Sequence, residues 1–320
     1  MGMMKVSRFL FPALFSFAVS SFAEEAAVPT LLLDPVDATR ERTVPLKVYL
    51  PKTEKPLPVI LFSHGLGGSR EASPYLGNHW AAAGYVAVFM QHAGSDETVW
   101  KSAERSERMA AMKEAANFQS SVARYADVPF VIDELEKMNV EEGHPLKGKL
   151  DLEHIGMTGH SYGANTTQAV MGQKFPLDAS FHETRIDAFL PMSPSLHKRL
   201  TPEAAFGHIK YPVLLMTGTK DGSPIDPTTT PESRMQVYAG LPVGDKFHLV
   251  LEDAEHFAFS DAGGFRKQDR IEHHHEAIQV ISTRFWDAYL KLDAEAKAAL
   301  QSDAIRSEAN LVEADRWEWK

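Results

Sequence analysis

Short runs without a polar side chain recur along this sequence, such as Pro58-Val59-Ile60-Leu61-Phe62 and Pro212-Val213-Leu214-Leu215-Met216. A strand that faces water on one side alternates apolar and polar residues, so a run that does not alternate belongs in a sheet covered on both faces. From residue 43 onward such runs take turns with segments of helical character, the order of parallel strands joined by crossover helices. The pattern predicts strands over 43–50, 57–63, 86–91, 154–158, 186–192, 213–218 and 247–251. It predicts helices over 74–83, 119–137, 162–173, 232–239, 269–290 and 294–301, followed by a polar tail. The expected fold is α/β, a mostly parallel central sheet with helices on both faces, formed as one domain over residues 24–320.

Residues 1–23 read as a secretory signal. Lys5 and Arg8 give a charged start, 9–22 is a short apolar run, and Ser21-Phe22-Ala23 offers small residues at the two positions a signal peptidase inspects. The run is too short to span a bilayer, which needs about 20 residues. Export and cleavage before Glu24 are therefore expected. The chain has no cysteine, which excludes a thiol nucleophile, disulfides and Cys-ligated metal centres. Its formal charge of −10 argues against a nucleic-acid partner, because such sites need a concentrated basic face.

Chemistry concentrates at Gly159-His160-Ser161-Tyr162-Gly163, between an expected strand and an expected helix. A serine on such a sharp turn stands above the sheet edge, and glycines two positions either side spare the neighbouring backbone a collision. A nucleophilic serine needs a base and the base needs an orienting acid, which on this kind of sheet follow in the order Ser, acid, His. Asp221 lies just past the strand at 213–218, and His256 lies past the strand at 247–251. Asp226 and Asp253 are alternative acids, whereas His248 lies inside a strand and is a poor rival base. The Ser63-His64-Gly65-Leu66-Gly67-Gly68 loop has the glycine content to turn a backbone N–H inward, and the N–H of Tyr162 at the next helix start supplies a second donor for an oxyanion.

Residues 63–70, 91–96 and 159–163 together resemble the dienelactone-hydrolase-like branch of the α/β-hydrolase superfamily and the secreted platelet-activating-factor acetylhydrolases. That resemblance implies a Ser161–Asp221–His256 triad, an oxyanion hole from Leu66 and Tyr162, no cofactor and no metal, and hydrolysis of carboxylic esters. True dienelactone hydrolases use a cysteine nucleophile, so their substrate is not expected here. Residues 193–211 are too few for the large cap some members insert, which implies an open cleft.

Gly65, His92, Trp100 and His160 are candidate substrate contacts, Ser95 lies at the same edge as His92 with a structural hydrogen-bonding role the other reading for both, and Tyr75, Trp100 and Tyr162 are candidate rim aromatics. The charged segment 98–117 reads as a solvated helix with charge pairs, the other reading being a flap over the site. His273-His274-His275 is expected to be a solvated helix start, since consecutive helical residues point about 100° apart and do not close on one ion. The sequence thus predicts an exported serine carboxylesterase for short acyl esters, with polyesters or acetylated phospholipids as alternative substrates and peptide hydrolysis as a less favoured activity.

Overall fold

Among the described residues, nine strands join in one sheet: β1 (Thr30–Leu33), β2 (Leu46–Tyr49), β3 (Leu57–Ser63), β4 (Val86–Met90), β5 (Leu150–His160), β6 (Ala188–Met192), β7 (Val213–Lys220), β8 (Lys246–Glu255) and β9 (Arg316–Trp319). This computed structural model describes residues 28–196, 199–261 and 271–320. The expected signal segment, and residues 269 and 270 of the long helix, lie outside the described residues.

The spatial order is β1-β2-β4-β3-β5-β6-β7-β8-β9. The six strands from β4 to β8 in that order run parallel, while β1, β2 and β9 are antiparallel additions at the two edges. The non-alternating runs are covered on both sides, with Val59, Ile60, Leu61 and Phe62 all buried. Ile60 and Phe62 point into a core shared with Trp80 of α1 (Pro74–Ala82) and with Phe285 and Trp286 of a long helix, Glu272–Leu290. Val59 and Leu61 point into the opposite core, against Val128, Val131 and Ile132. Those three belong to the helix Phe118–Val140, and α/β layering with helices on both faces follows.

The chain leaves β3 toward β4 on one side and returns to β5 on the other, so the sheet changes winding direction between β3 and β5. Loops at the carboxyl ends of strands flanking such a switch diverge and leave a crevice. Ser63 and His160, the last residues of β3 and β5, mark that point. Among the described residues, the connection from β6 to β7 contains one short helix, Pro202–Phe206, and no large cap.

Two expectations from sequence are corrected at the edges. The strand expected over 43–50 is shorter, because Arg42–Thr43 pairs with Val36–Asp37 in a separate hairpin and Pro45, which has no N–H to donate, separates that hairpin from β2. The polar tail contains β9, whose Arg-Trp-Glu-Trp alternation puts only Trp317 inward. That ring stacks on Phe247 with centroids 5.8 Å apart, and its indole N–H donates to the Leu300 carbonyl at 3.1 Å. A single inward tryptophan carries too little periodic signal to announce a strand.

Candidate active site

β5 passes directly into the helix Tyr162–Val170 through Ser161, whose backbone sits at φ 59° and ψ −113°. This left-handed turn exists because its neighbours have no side chains. A Cβ on Gly163 would lie 1.8 Å from the Ser63 carbonyl oxygen, and one on Gly159 would lie 2.5 Å from the Gly163 oxygen. Strand and helix are therefore in backbone contact, and Ser161 is held out over the sheet edge.

Three side chains that are 35 or more residues apart in sequence meet there. His256 Nε2 lies 2.8 Å from Ser161 Oγ, and His256 Nδ1 lies 2.7 Å from Asp221 Oδ1. A carboxylate accepts only, so Nδ1 carries the proton and Nε2 is free to receive one from the serine. Thr217 Oγ1 donates to the other Asp221 oxygen at 2.9 Å. Burial pushes the Asp221 carboxyl up, but the hydrogen bond and charge of His256, with Arg234 beside it, hold it at about 2. The rival acids lie elsewhere: Asp253 pairs with Lys220 at 2.7 Å, and Asp226 caps its own loop through Thr228 and Thr229. His248 pairs with Glu318 at 3.1 Å inside the sheet.

His160 does not present its ring to a substrate. It is buried, and Nε2–H donates to the His256 carbonyl at 2.9 Å, which pins the loop that carries the base. Arg234, which sequence reasoning missed, is also buried. It donates to the carbonyls of Asp221 (2.7 Å), Ser193 (2.6 Å) and Pro194 (2.9 Å), and its Nε lies 3.1 Å from Asp221 Oδ1. No motif surrounds it: a lone arginine in the helix Pro231–Gly240 reads as a solvated residue.

A Cβ on Gly65 would lie 3.5 Å from Ser161 Cβ, so the glycine loop touches the serine. Within that loop the Gly67 amide donates to the Ser95 carbonyl at 2.9 Å and the Gly68 amide to the Gly65 carbonyl at 3.0 Å. Both are committed, whereas the Leu66 amide directly follows the Gly65 contact. Segment 98–117 folds as two short, largely exposed helices, Thr98–Lys101 and Arg108–Ala115. It rests on the glycine loop: Trp100 Nε1–H donates to the Gly67 carbonyl at 2.7 Å, and Met112 packs where a Gly67 side chain would stand.

Of the two roles expected for His92, the substrate contact is corrected and the structural one, a buried strut, is what its surroundings form. It is fully enclosed, with Nε2 2.9 Å from Ser63 Oγ and Nδ1 2.9 Å from Asp127 Oδ2. Tyr75 stacks on His275 with centroids 3.9 Å apart. The neighbouring histidines take other partners: His274 is buried and bonds the Glu252 carbonyl at 2.8 Å, while His273 lies 3.4 Å from Asp315. The expected solvated helix start is thus partly interior.

The family model described as platelet-activating factor acetylhydrolase, isoform II, matches residues 35–128. The 63–70 and 91–96 motifs lie inside that segment. No curated protein matches this chain. Many solved structures do, among them a ferulic acid esterase from Streptomyces cinnamoneus, at 18% identity and a TM-score of 0.61 over 86% of this chain and 93% of that one. The architecture is that of the α/β-hydrolases, and the chain resembles the platelet-activating-factor acetylhydrolase-like serine esterases.

The buried histidines fix a direction for acid stability. Burial, and secondarily the charge of His256, lowers His160 to about 3, and burial with the charge of Arg124 lowers His92 to about 4, from an ordinary 6.5. Between those values and 6.5 the unfolded chain binds protons that the folded chain refuses, so stability rises with pH across that window. The depressed Asp221 adds a further loss below its ordinary 3.8. The urea midpoint is expected to fall continuously as pH is lowered from 6.5 to 4. A midpoint that stays level or rises on acidification contradicts the neutral buried rings.

Proposed function

We propose that this protein is an exported serine carboxylesterase that cleaves short acyl esters through a covalent acyl-enzyme. The observation that carries the reading is the continuous hydrogen-bonded relay Ser161–His256–Asp221 on a strained turn at the switch point of an α/β-hydrolase sheet. His256 Nε2 takes the Ser161 proton as Oγ attacks the acyl carbon, and Asp221 stabilises the imidazolium that forms. The Leu66 and Tyr162 amides hold the oxyanion. The alcohol leaves with the proton from His256, and water activated by the same ring releases the acid and restores Ser161.

The short β6–β7 connection supports an open cleft suited to small acyl groups. The similarity to platelet-activating factor acetylhydrolases and the fold shared with a ferulic acid esterase both favour ester over amide chemistry. The acidic net charge weighs against anionic lipid surfaces, so soluble esters come before phospholipids. The charged and apolar order of residues 1–23 supports export, and mass spectrometry of the protein secreted by its producing cell is expected to give Glu24 as the first residue.

A panel of p-nitrophenyl acetate, butyrate and octanoate beside matched anilides tests the activity. Acetate and butyrate are expected to turn over fastest, and Ser161→Ala to lose at least about a thousandfold in kcat. Comparable hydrolysis by Ser161→Ala, or faster cleavage of the anilides, sinks the reading.

A further inference from the structure

Beneath the site lies a guanidinium that the proposed mechanism does not use. Arg124, in the helix Phe118–Val140, is fully buried. Its donors go to neutral oxygens: Nε to Thr166 Oγ1 (3.0 Å), Nη1 to Ser95 Oγ (3.0 Å), and Nη2 to Ser63 Oγ (3.0 Å) and to the His64 carbonyl. Asp127, one turn further along the helix, is occupied by Arg42 (2.7 Å), Arg40 (2.8 Å) and His92 (2.9 Å). Burial lowers Arg124 to about 10, so it stays charged at neutral pH. A buried cation whose hydrogen bonds all go to neutral acceptors is costly, and Asp127 favours it only through charge at longer range.

The acceptors sort into two groups. His64 and Ser63 begin the glycine loop that carries the Leu66 amide, and the Ser95 carbonyl receives the Gly67 N–H of that loop at 2.9 Å. Thr166 and Tyr162 belong to the helix that carries the other amide. Thr166 Oγ1–H donates a hydrogen bond to the Tyr162 carbonyl at 3.2 Å, and the Arg124 guanidinium lies 4.7 Å from the centre of the Tyr162 ring.

We propose that Arg124 is a positioning residue of the oxyanion hole, one planar fork that fixes the Leu66 amide and the Tyr162 amide relative to each other while placing positive charge below the oxyanion. This rests on the esterase reading above. The Ser63–His92–Asp127 relay anchors the clamp from behind, because His92 holds the Ser63 hydroxyl on which Arg124 closes.

Arg124→Lys, which keeps the charge without the fork, and Arg124→Met, which keeps the bulk without the charge, separate a clamp from a strut. Each is quantified by fluorophosphonate titration of Ser161, so that only folded sites are counted, and is assayed with p-nitrophenyl butyrate and a trifluoromethyl ketone inhibitor. Both variants are expected to lose roughly 10- to 100-fold in kcat with KM within about twofold, and to weaken the ketone by the same factor as kcat/KM. A merely structural arginine lowers the melting temperature but leaves kcat per titrated site and ketone affinity unchanged, which overturns the proposal. If the Met variant does not fold, the Lys variant decides alone. Failure of the unaltered protein to react with the fluorophosphonate sinks the esterase reading itself, whereas a reactive protein with unaffected variants sinks only the clamp.

Discussion

The end of β3 and the start of the helix after Ser161 approach until their backbones touch, and the geometry of the whole site follows from that contact. With the Gly163 Cα against the Ser63 carbonyl, the turn between strand and helix has no room for an ordinary conformation, and Ser161 takes the left-handed one. The same contact puts the first donor loop, which leaves β3 at Ser63, beside the first turn of the helix that holds the second donor. Parallel strands place His256 and Asp221 at the same sheet edge, past the ends of β8 and β7. A methyl group at position 163 separates these layers, and every downstream distance changes with it.

Polar groups are buried around that contact in an ordered way. Two relays of serine, histidine and aspartate run through the region, one reaching the surface at Ser161 and one wholly enclosed at Ser63. The enclosed set has no access for a substrate, and its arginines tie it to the helix Phe118–Val140 and to the N-terminal hairpin. Burial keeps its histidine neutral, so the ring remains an acceptor for the Ser63 hydroxyl across the physiological range. In a chain without disulfides, such networks and the two apolar cores hold the loops in place.

The parallel sheet was legible because fully buried strands are written as unbroken apolar runs, as at Val59–Phe62. The positions of Ser161, Asp221 and His256 were legible because a parallel sheet returns each chain segment to the same edge in order. Edge strands were not, since β1 and β9 need only one or two inward side chains. Arg124 and Arg234 were hidden for another reason: a buried arginine has the same sequence appearance as a solvated one, and only the convergence of carbonyls and hydroxyls around it reveals the difference. His92 was open to two readings, since its place at the catalytic edge suits either a substrate contact or a structural hydrogen bond, and only its depth decides for the second.

Covalent catalysis at Ser161 is tested most directly by trapping the intermediate. The protein is mixed with a slowly deacylating p-nitrophenyl ester, quenched in acid, digested and examined by mass spectrometry. The peptide containing Ser161 is expected to gain the mass of the acyl group, with the modification on that serine and none in Ser161→Ala. Turnover with the acyl group on another residue, or with no acylated peptide while product accumulates in a burst, contradicts the mechanism.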